Sequence, residues 1–281
     1  MGAWRLCGLQ TIFPLSCCNR VTPCLRLSLG PAWRVWATGD PLICKAHIAA
    51  LGVAFAASPT LASDCRIALL LALDVSSSVD AEEDLLQRQG LAAALTAPEV
   101  QAAFLDAPQT VALAVYEWSG REKQNTLLDW TLIDSPRVLM ESAAKLGLSN
   151  RQTTEFPTAL GHAVGHAAKL FAAAPDCDTK VLDVSGDGMN NDGFTPKQAY
   201  GAFPLDGVIV NGLAIETFGV KAANLNAIPG DMTSYYRDEL IKGPNAFVET
   251  ATGFADFEDA MRRKLSRELS VTVLGYLDID L

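Results

Sequence analysis

The chain carries an unbroken apolar run, Arg66-Ile-Ala-Leu-Leu-Leu-Ala-Leu-Asp74, that stops on a carboxylate. Runs of this kind read as strands buried on both faces of a parallel sheet. Asp80 and Glu83 then form a capping-box pattern, which predicts a helix to about Thr96. Thr110 to Trp118 reads as a second strand and Thr126 to Leu132 as a shorter third. Ser135-Pro136 opens a helix to about Leu146. Pro157 to Ala174 reads as a helix with Leu160, Val164, Ala167 and Phe171 along one face. Lys180 to Ser185 is a strand running into Gly186-Asp187-Gly188, and Thr195-Pro196 starts a helix to about Phe203. Gly207 to Ile215 is another buried strand, and Asn245 to Glu249 a short one. Phe254, Phe257, Met261, Leu265 and Leu269 mark a last amphipathic helix. Strands alternating with helices predict an α/β domain: a doubly wound, mostly parallel central sheet with helices on both faces. Such sheets bind ligands beyond the carboxyl ends of their strands, at the switch point. Asp74 and Asp187 both fall at such ends.

The pattern before residue 64 is different. Lys45 precedes an apolar run over 48–57, followed by Ser58-Pro-Thr-Leu-Ala62. A basic residue, a short apolar stretch and a small-residue cleavage site make a signal peptide. The run is too short to span a bilayer. Residues 1–63 are therefore expected to be a leader, 64–270 the domain and 271–281 a tail. Residues 1–40 hold four cysteines with Arg, Trp and Pro in no period, as in an over-extended start. Export places the mature protein in the periplasm or outside a bacterial cell, with no membrane span.

Charge changes the picture of partners. The formal net charge is -10, but only Asp40 is acidic in residues 1–62, against Arg5, Arg20, Arg26, Arg34 and Lys45. The remaining 219 residues then hold 17 basic and 31 acidic side chains, for a net charge of -14. Such a surface repels nucleic-acid phosphates and anionic membranes, and favours cations.

The candidate chemistry sits after the first strand. Asp74-x-Ser76-x-Ser78 sends three oxygen side chains to one side of an extended chain. Oxygen donors suit a hard divalent cation: Mg²⁺ first, with Mn²⁺ or Ca²⁺ as alternatives. One carboxylate and two hydroxyls need further ligands, and Asp187 and Thr154 are the candidates. Asp183, inside a buried strand, is expected either behind the metal or bonded to a neighbouring loop. Asn190, Asn191 and Asp192 read as a polar turn or as further metal contacts. Trp118, Tyr235 and Tyr236 either line the metal face or pack in the core. His162 and His166, four apart, have zinc-site spacing, but with no third ligand they read as solvent-facing.

Together, Asp74-x-Ser76-x-Ser78, Thr154 six residues before Leu160, and a strand ending in Asp187-Gly188 resemble the von Willebrand factor A domain. The likeness covers about residues 65–270. It implies a Rossmann-like fold whose metal-ion-dependent adhesion site uses Asp74, Ser76, Ser78, Thr154 and Asp187, with one position open to an acidic group of a partner. Thr154-Glu-Phe-Pro157 departs from the family's pattern, in which Thr is followed by a small polar residue, an apolar residue and Gly; Thr153 is the alternative ligand. Ser185-Gly-Asp-Gly-Met-Asn-Asn-Asp192, Ile209-Val-Asn-Gly-Leu213, Tyr235-Tyr-Arg-Asp238 and Gly243-Pro-Asn-Ala-Phe247 also resemble a bacterial family of exported proteins of this kind with no assigned function.

In that fold the strands before Asp74 and Asp187 are parallel neighbours. Cys65 and Cys177, the two cysteines of seven that remain after the leader, then share the far edge of the sheet. A disulfide is expected there, with two separate thiols as the alternative. The function implied is a non-enzymatic, metal-dependent binding module for a protein or peptide bearing an acidic group. Two rivals are a haloacid-dehalogenase-like phosphatase using Asp74 and a metal-stabilised structural domain. The phosphatase chemistry wants a second carboxylate at position 76, where Ser76 stands.

Overall fold

A computed structural model describes residues 64–217 and 231–277. The expected leader, with its apolar run at 48–57, lies outside the described residues. Six strands form one sheet: β1 (Cys65–Asp74), β2 (Thr110–Trp118), β3 (Gln124–Ile133), β4 (Thr179–Gly186), β5 (Val208–Ile215) and β6 (Val248–Ala251), in the order β3-β2-β1-β4-β5-β6. All neighbours are parallel except β2 and β3. The Trp118-to-Gln124 connection is too short for a crossover, so the chain must return antiparallel.

The helices are α1 (Ala81–Thr96), α2 (Pro98–Leu105), α3 (Pro136–Gly147), α4 (Leu160–Phe171), α5 (Pro196–Ala202), α6 (Asp231–Tyr235) and α7 (Phe257–Leu277), with a π-helical turn over Tyr236–Leu240. Strand alternation divides the core into two layers. Leu69, Leu71, Leu73, Val111, Leu113 and Val181 pack under α1, α2, α3 and α7, meeting Leu91, Phe104, Leu139 and Met261. Leu70, Ala72, Ala114, Leu182 and Val184 pack under α4, α5 and the π-turn, meeting Leu160, Val164, Ala199 and Tyr236. The sheet is thus covered on both sides, as its continuous apolar runs require.

Several elements differ from the sequence reading. Helix α2 was not foreseen, although Pro98 stands at its first turn. Helix α4 starts at Leu160 and not at Pro157. Helix α7 continues to Leu277, into the expected tail. No described helix is long and apolar enough to cross a membrane.

Cys65 and Cys177 form a disulfide with Cα atoms 4.6 Å apart. The Asp178 amide donates to the Cys65 carbonyl beside it at 3.0 Å. The bond ties the amino ends of β1 and β4. The carboxyl ends of the same two strands lie at the opposite edge, where the strand order reverses direction.

Candidate metal centre

At that switch point β1 delivers Asp74, and the chain turns sharply into α1. The turn is built by its own polar groups. Asp74 Oδ1 accepts from the Ser76 amide at 2.7 Å, and the Val79 amide donates to the Ser76 carbonyl at 3.0 Å. Asp80 then caps α1 in the expected box, accepting from the Glu82 and Glu83 amides while Glu83 accepts from the Asp80 amide. Gln87 of α1 donates to the Asp74 carbonyl at 2.9 Å, so helix and strand end are fastened together.

The hydroxyls form a chain from Thr158 to the Asp187 carboxylate. Ser76 and Ser78 Oγ are 3.1 Å apart, and Ser78 donates to Asp187 Oδ1 at 2.7 Å. Thr158 Oγ1 donates to Ser76 Oγ at 3.2 Å. Asp74, Ser76 and Thr158 are buried; Ser78 is exposed and Asp187 half-buried. The group therefore has a floor closed by protein and an open side at Ser78 and Asp187.

Two glycines bring β4 this close. A Cβ on Gly186 would stand 2.7 Å from Asp74 Oδ2, and one on Gly188 2.9 Å from Thr158 Oγ1. Asp187 is seated between them. Any side chain at either position would drive the β4 loop away from the β1 loop or from Thr158.

The structure brings Thr158, and not Thr154, to the serines. Thr154 is exposed in the loop four residues earlier, and Thr153 Oγ1 lies 3.1 Å from Ser119 Oγ. The threonine that meets the serines is Thr158, held by the loop after β4. Its amide donates to Asn191 Oδ1 at 2.9 Å, and its carbonyl accepts from the Asn191 amide at 2.9 Å. Asn190 Oδ1 accepts from the Gly161 amide at 3.1 Å, at the open start of α4. Asn190 and Asn191 thus position Thr158 and α4. Thr158-Ala-Leu-Gly161 carries the apolar residue and Gly of the adhesion-site pattern that Thr154 lacks, a signal present in the sequence.

Arg151 was not foreseen. Its guanidinium donates to the carbonyls of Val79 at 2.7 Å, Val75 at 2.8 Å, Ser76 at 3.2 Å and Thr153 at 2.8 Å. It clamps the whole Val75–Val79 turn from the loop after α3. Trp118 is buried in the core at the end of β2, so it lines no rim. Asp183 points to the other side of the sheet. It pairs with Lys264 of α7 at 2.8 Å, and Lys264 also pairs with Glu268. The two histidines are half-buried, not solvent-facing: His162 stacks on Phe194 and His166 tilts against Tyr116.

Electrostatically the centre favours a cation. Burial pushes the Asp74 carboxyl well above its usual range; the Asp187 carboxylate adds to this, and Ser76 and Arg151 oppose it. Asp74 Oδ2 is buried with no hydrogen-bond partner. Among the described residues no three His, Cys, Asp or Glu side chains converge. Two carboxylates, one of them with an unpartnered oxygen, and three hydroxyls fit a hard, oxygen-seeking divalent ion. They do not suit a soft one.

The sheet order, the switch-point loops and the covering helices define a von Willebrand factor A-like fold. The chain belongs to the family described as "Protein of unknown function (DUF1194)", whose model matches residues 64–273. Among solved structures, it is similar to proximal thread matrix protein 1 from the mussel byssus, at 16% identity and TM-score 0.52, over 74% of this chain and 49% of that one. A structure of that matrix protein "with zinc occupied MIDAS motif" aligns at TM-score 0.51 and 16% identity, over 74% and 49%. The pilus adhesin SpaC from Lactobacillus rhamnosus GG aligns at TM-score 0.50 and 13% identity, over 74% of this chain and 30% of that one. The chain spans about half or less of the length of these proteins. At such identities the likeness is one of fold. No curated protein matches the sequence.

Proposed function

We propose that the domain is an exported docking module that binds a divalent cation through Asp74, Ser76, Ser78, Thr158 and Asp187 and presents it to an acidic group of a protein or peptide partner. The observation that carries this reading is the buried, unpartnered Asp74 Oδ2 in the turn whose Ser76 and Ser78 join the Thr158–Ser76–Ser78–Asp187 chain of hydrogen bonds. Thr158 takes the place first assigned to Thr154 because it is the threonine within reach of Ser76. Mg²⁺ fits the donor set best, since hard oxygen ligands with retained waters are its preference; Mn²⁺ and Ca²⁺ remain in the same class. The bound ion would supply positive charge at the open side by Ser78, where an incoming carboxylate can reach it. Arg151, Asn190 and Asn191 hold the loops in place.

Support for export is the Cys65–Cys177 disulfide, a bond of oxidising compartments, together with the signal-peptide pattern. Support for adhesion over catalysis is Ser76, which cannot act as the general acid that a phosphatase built on Asp74 requires. The mussel matrix protein and the pilus adhesin share the fold and lend weight to a binding role.

The test is capture of partners from a periplasmic or culture extract on the immobilised protein, with Mg²⁺ or with EDTA. Retention that needs Mg²⁺ and disappears in the Asp74→Asn, Asp187→Asn variant supports docking. Retention equal in EDTA and in the variant refutes it.

A further inference from the structure

Tyr235-Tyr236, singled out in the sequence, has no part in the ligand set, yet the Tyr236 hydroxyl approaches Asp74 and Tyr235 bonds Asn190 beside it. Tyr236 is fully buried, opens the π-helical turn Tyr236–Leu240, and its hydroxyl has no hydrogen-bond partner. A buried phenol normally finds one, and single π-turns inside helices often mark functional sites. The point over Gly186 shows where this one is aimed. A Cβ built there would stand 2.6 Å from Tyr236 Oη and 2.7 Å from Asp74 Oδ2. The two unpartnered oxygens converge on the same spot, within the span of one bridging water.

The geometry points to Tyr236 as a positioning residue for the metal centre: through one water over the bare Gly186 backbone, its hydroxyl steadies Asp74 Oδ2 and the carboxylate's orientation toward the cation. This rests on the metal-binding reading of the site. A carboxylate oxygen has two acceptor sites, so Oδ2 can take the water from the phenol on one and the cation or its water on the other. Gly186 is bare because a methyl group would fill the space between them. The neighbouring Tyr235 works on the opposite wall. Its Oη accepts from the Asn190 amide at 3.1 Å, and Asn190 in turn holds the start of α4. The tyrosine pair thereby braces the centre from the segment that follows β5, on the carboxylate side and on the threonine side.

The test is Tyr236→Phe, which removes one oxygen and keeps the ring, with Tyr116→Phe as control. Tyr116 is also fully buried, but its hydroxyl donates to the Ala163 carbonyl at 2.8 Å. Mg²⁺ affinity is read by titration calorimetry and stability by thermal melting in EDTA. Tyr236→Phe is expected to weaken Mg²⁺ binding about 10- to 100-fold, the usual effect of losing such a support. Its melting temperature in EDTA is expected to hold or rise, because the hydroxyl lost had no partner. Tyr116→Phe is expected to do the reverse, lowering the melting temperature and leaving affinity within about twofold, since its lost bond is structural. Affinity within about twofold of wild type in Tyr236→Phe, or an affinity loss that Tyr116→Phe reproduces, overturns the inference while leaving the metal site standing. Wild-type protein that binds no Mg²⁺ overturns both.

Discussion

Thr158 Oγ1 and Ser76 Oγ meet at 3.2 Å across 82 residues of sequence. The contact joins the turn after β1 to the start of α4, and it selects one threonine among three nearby. Thr158→Ala is expected to weaken Mg²⁺ binding by about tenfold or more, at least the effect of losing an outer support. Thr154→Ala, at an exposed position, is expected to leave it unchanged. Calorimetric titration of the two variants side by side decides between them.

Arg151 donates to five backbone carbonyls, three of them in the turn that carries Ser76 and Ser78. Hydrogen bonds to a charged group contribute about 1.5–3 kcal/mol each and do not simply add. Arg151→Ala is expected to lower stability by roughly 2–4 kcal/mol in urea melts and to weaken Mg²⁺ binding as well. Arg151→Lys restores the charge but not the planar fork, so it should recover only part of either loss. Full recovery by lysine would show that charge alone matters.

The Cys65–Cys177 disulfide closes a loop with a sequence separation of 112. Chain entropy puts its contribution at about 4–5 kcal/mol at most. Reduction, or Cys65→Ala with Cys177→Ala, is expected to lower the melting temperature markedly. Mg²⁺ affinity at the other end of β1 and β4 should persist at temperatures where the reduced protein is folded. Loss of metal binding in folded, reduced protein would mean that the two ends of the sheet are coupled.

The sequence revealed most of the frame and part of the site. Apolar runs located β1, β2, β4 and β5, and Asp80 with Glu83 located the start of α1, because those signals are local. The β4 glycines were visible as a motif, but their contacts with Asp74 and Thr158 were not. The sequence places Thr154 just before a helix expected to open at Pro157, whereas the helix opens at Leu160. The actual opening is fixed by Asn190 and Asn191, which lie some thirty residues away and clamp Thr158 and Gly161. Arg151 had no pattern of its own, since all its partners are backbone carbonyls. The purpose of Asp183 depends on Lys264, on a helix 81 residues later, and no local period reports such a pair.

That pair yields a pH prediction. Burial pushes the Asp183 carboxyl from 3.8 up to about 7; the Lys264 ammonium opposes the rise and Glu268 adds to it. The folded state therefore holds a proton that the unfolded chain releases. Its stabilising effect is present below about pH 4 and is lost as pH rises through about 7, a slope of up to about 1.4 kcal/mol per pH unit from this group. Asp183→Asn is expected to flatten the stability profile over that window. An unchanged slope in urea melts from pH 4 to 7 would assign the pH dependence elsewhere.

The central claim is that Asp74 and Asp187 hold a divalent cation between them with Ser76, Ser78 and Thr158. The most direct measurement is calorimetric titration of the purified protein with Mg²⁺, wild type against Asp74→Asn with Asp187→Asn. The account predicts one ion bound per wild-type chain and none by the folded double variant. Equal binding by the two proteins, or none by wild type, would contradict it.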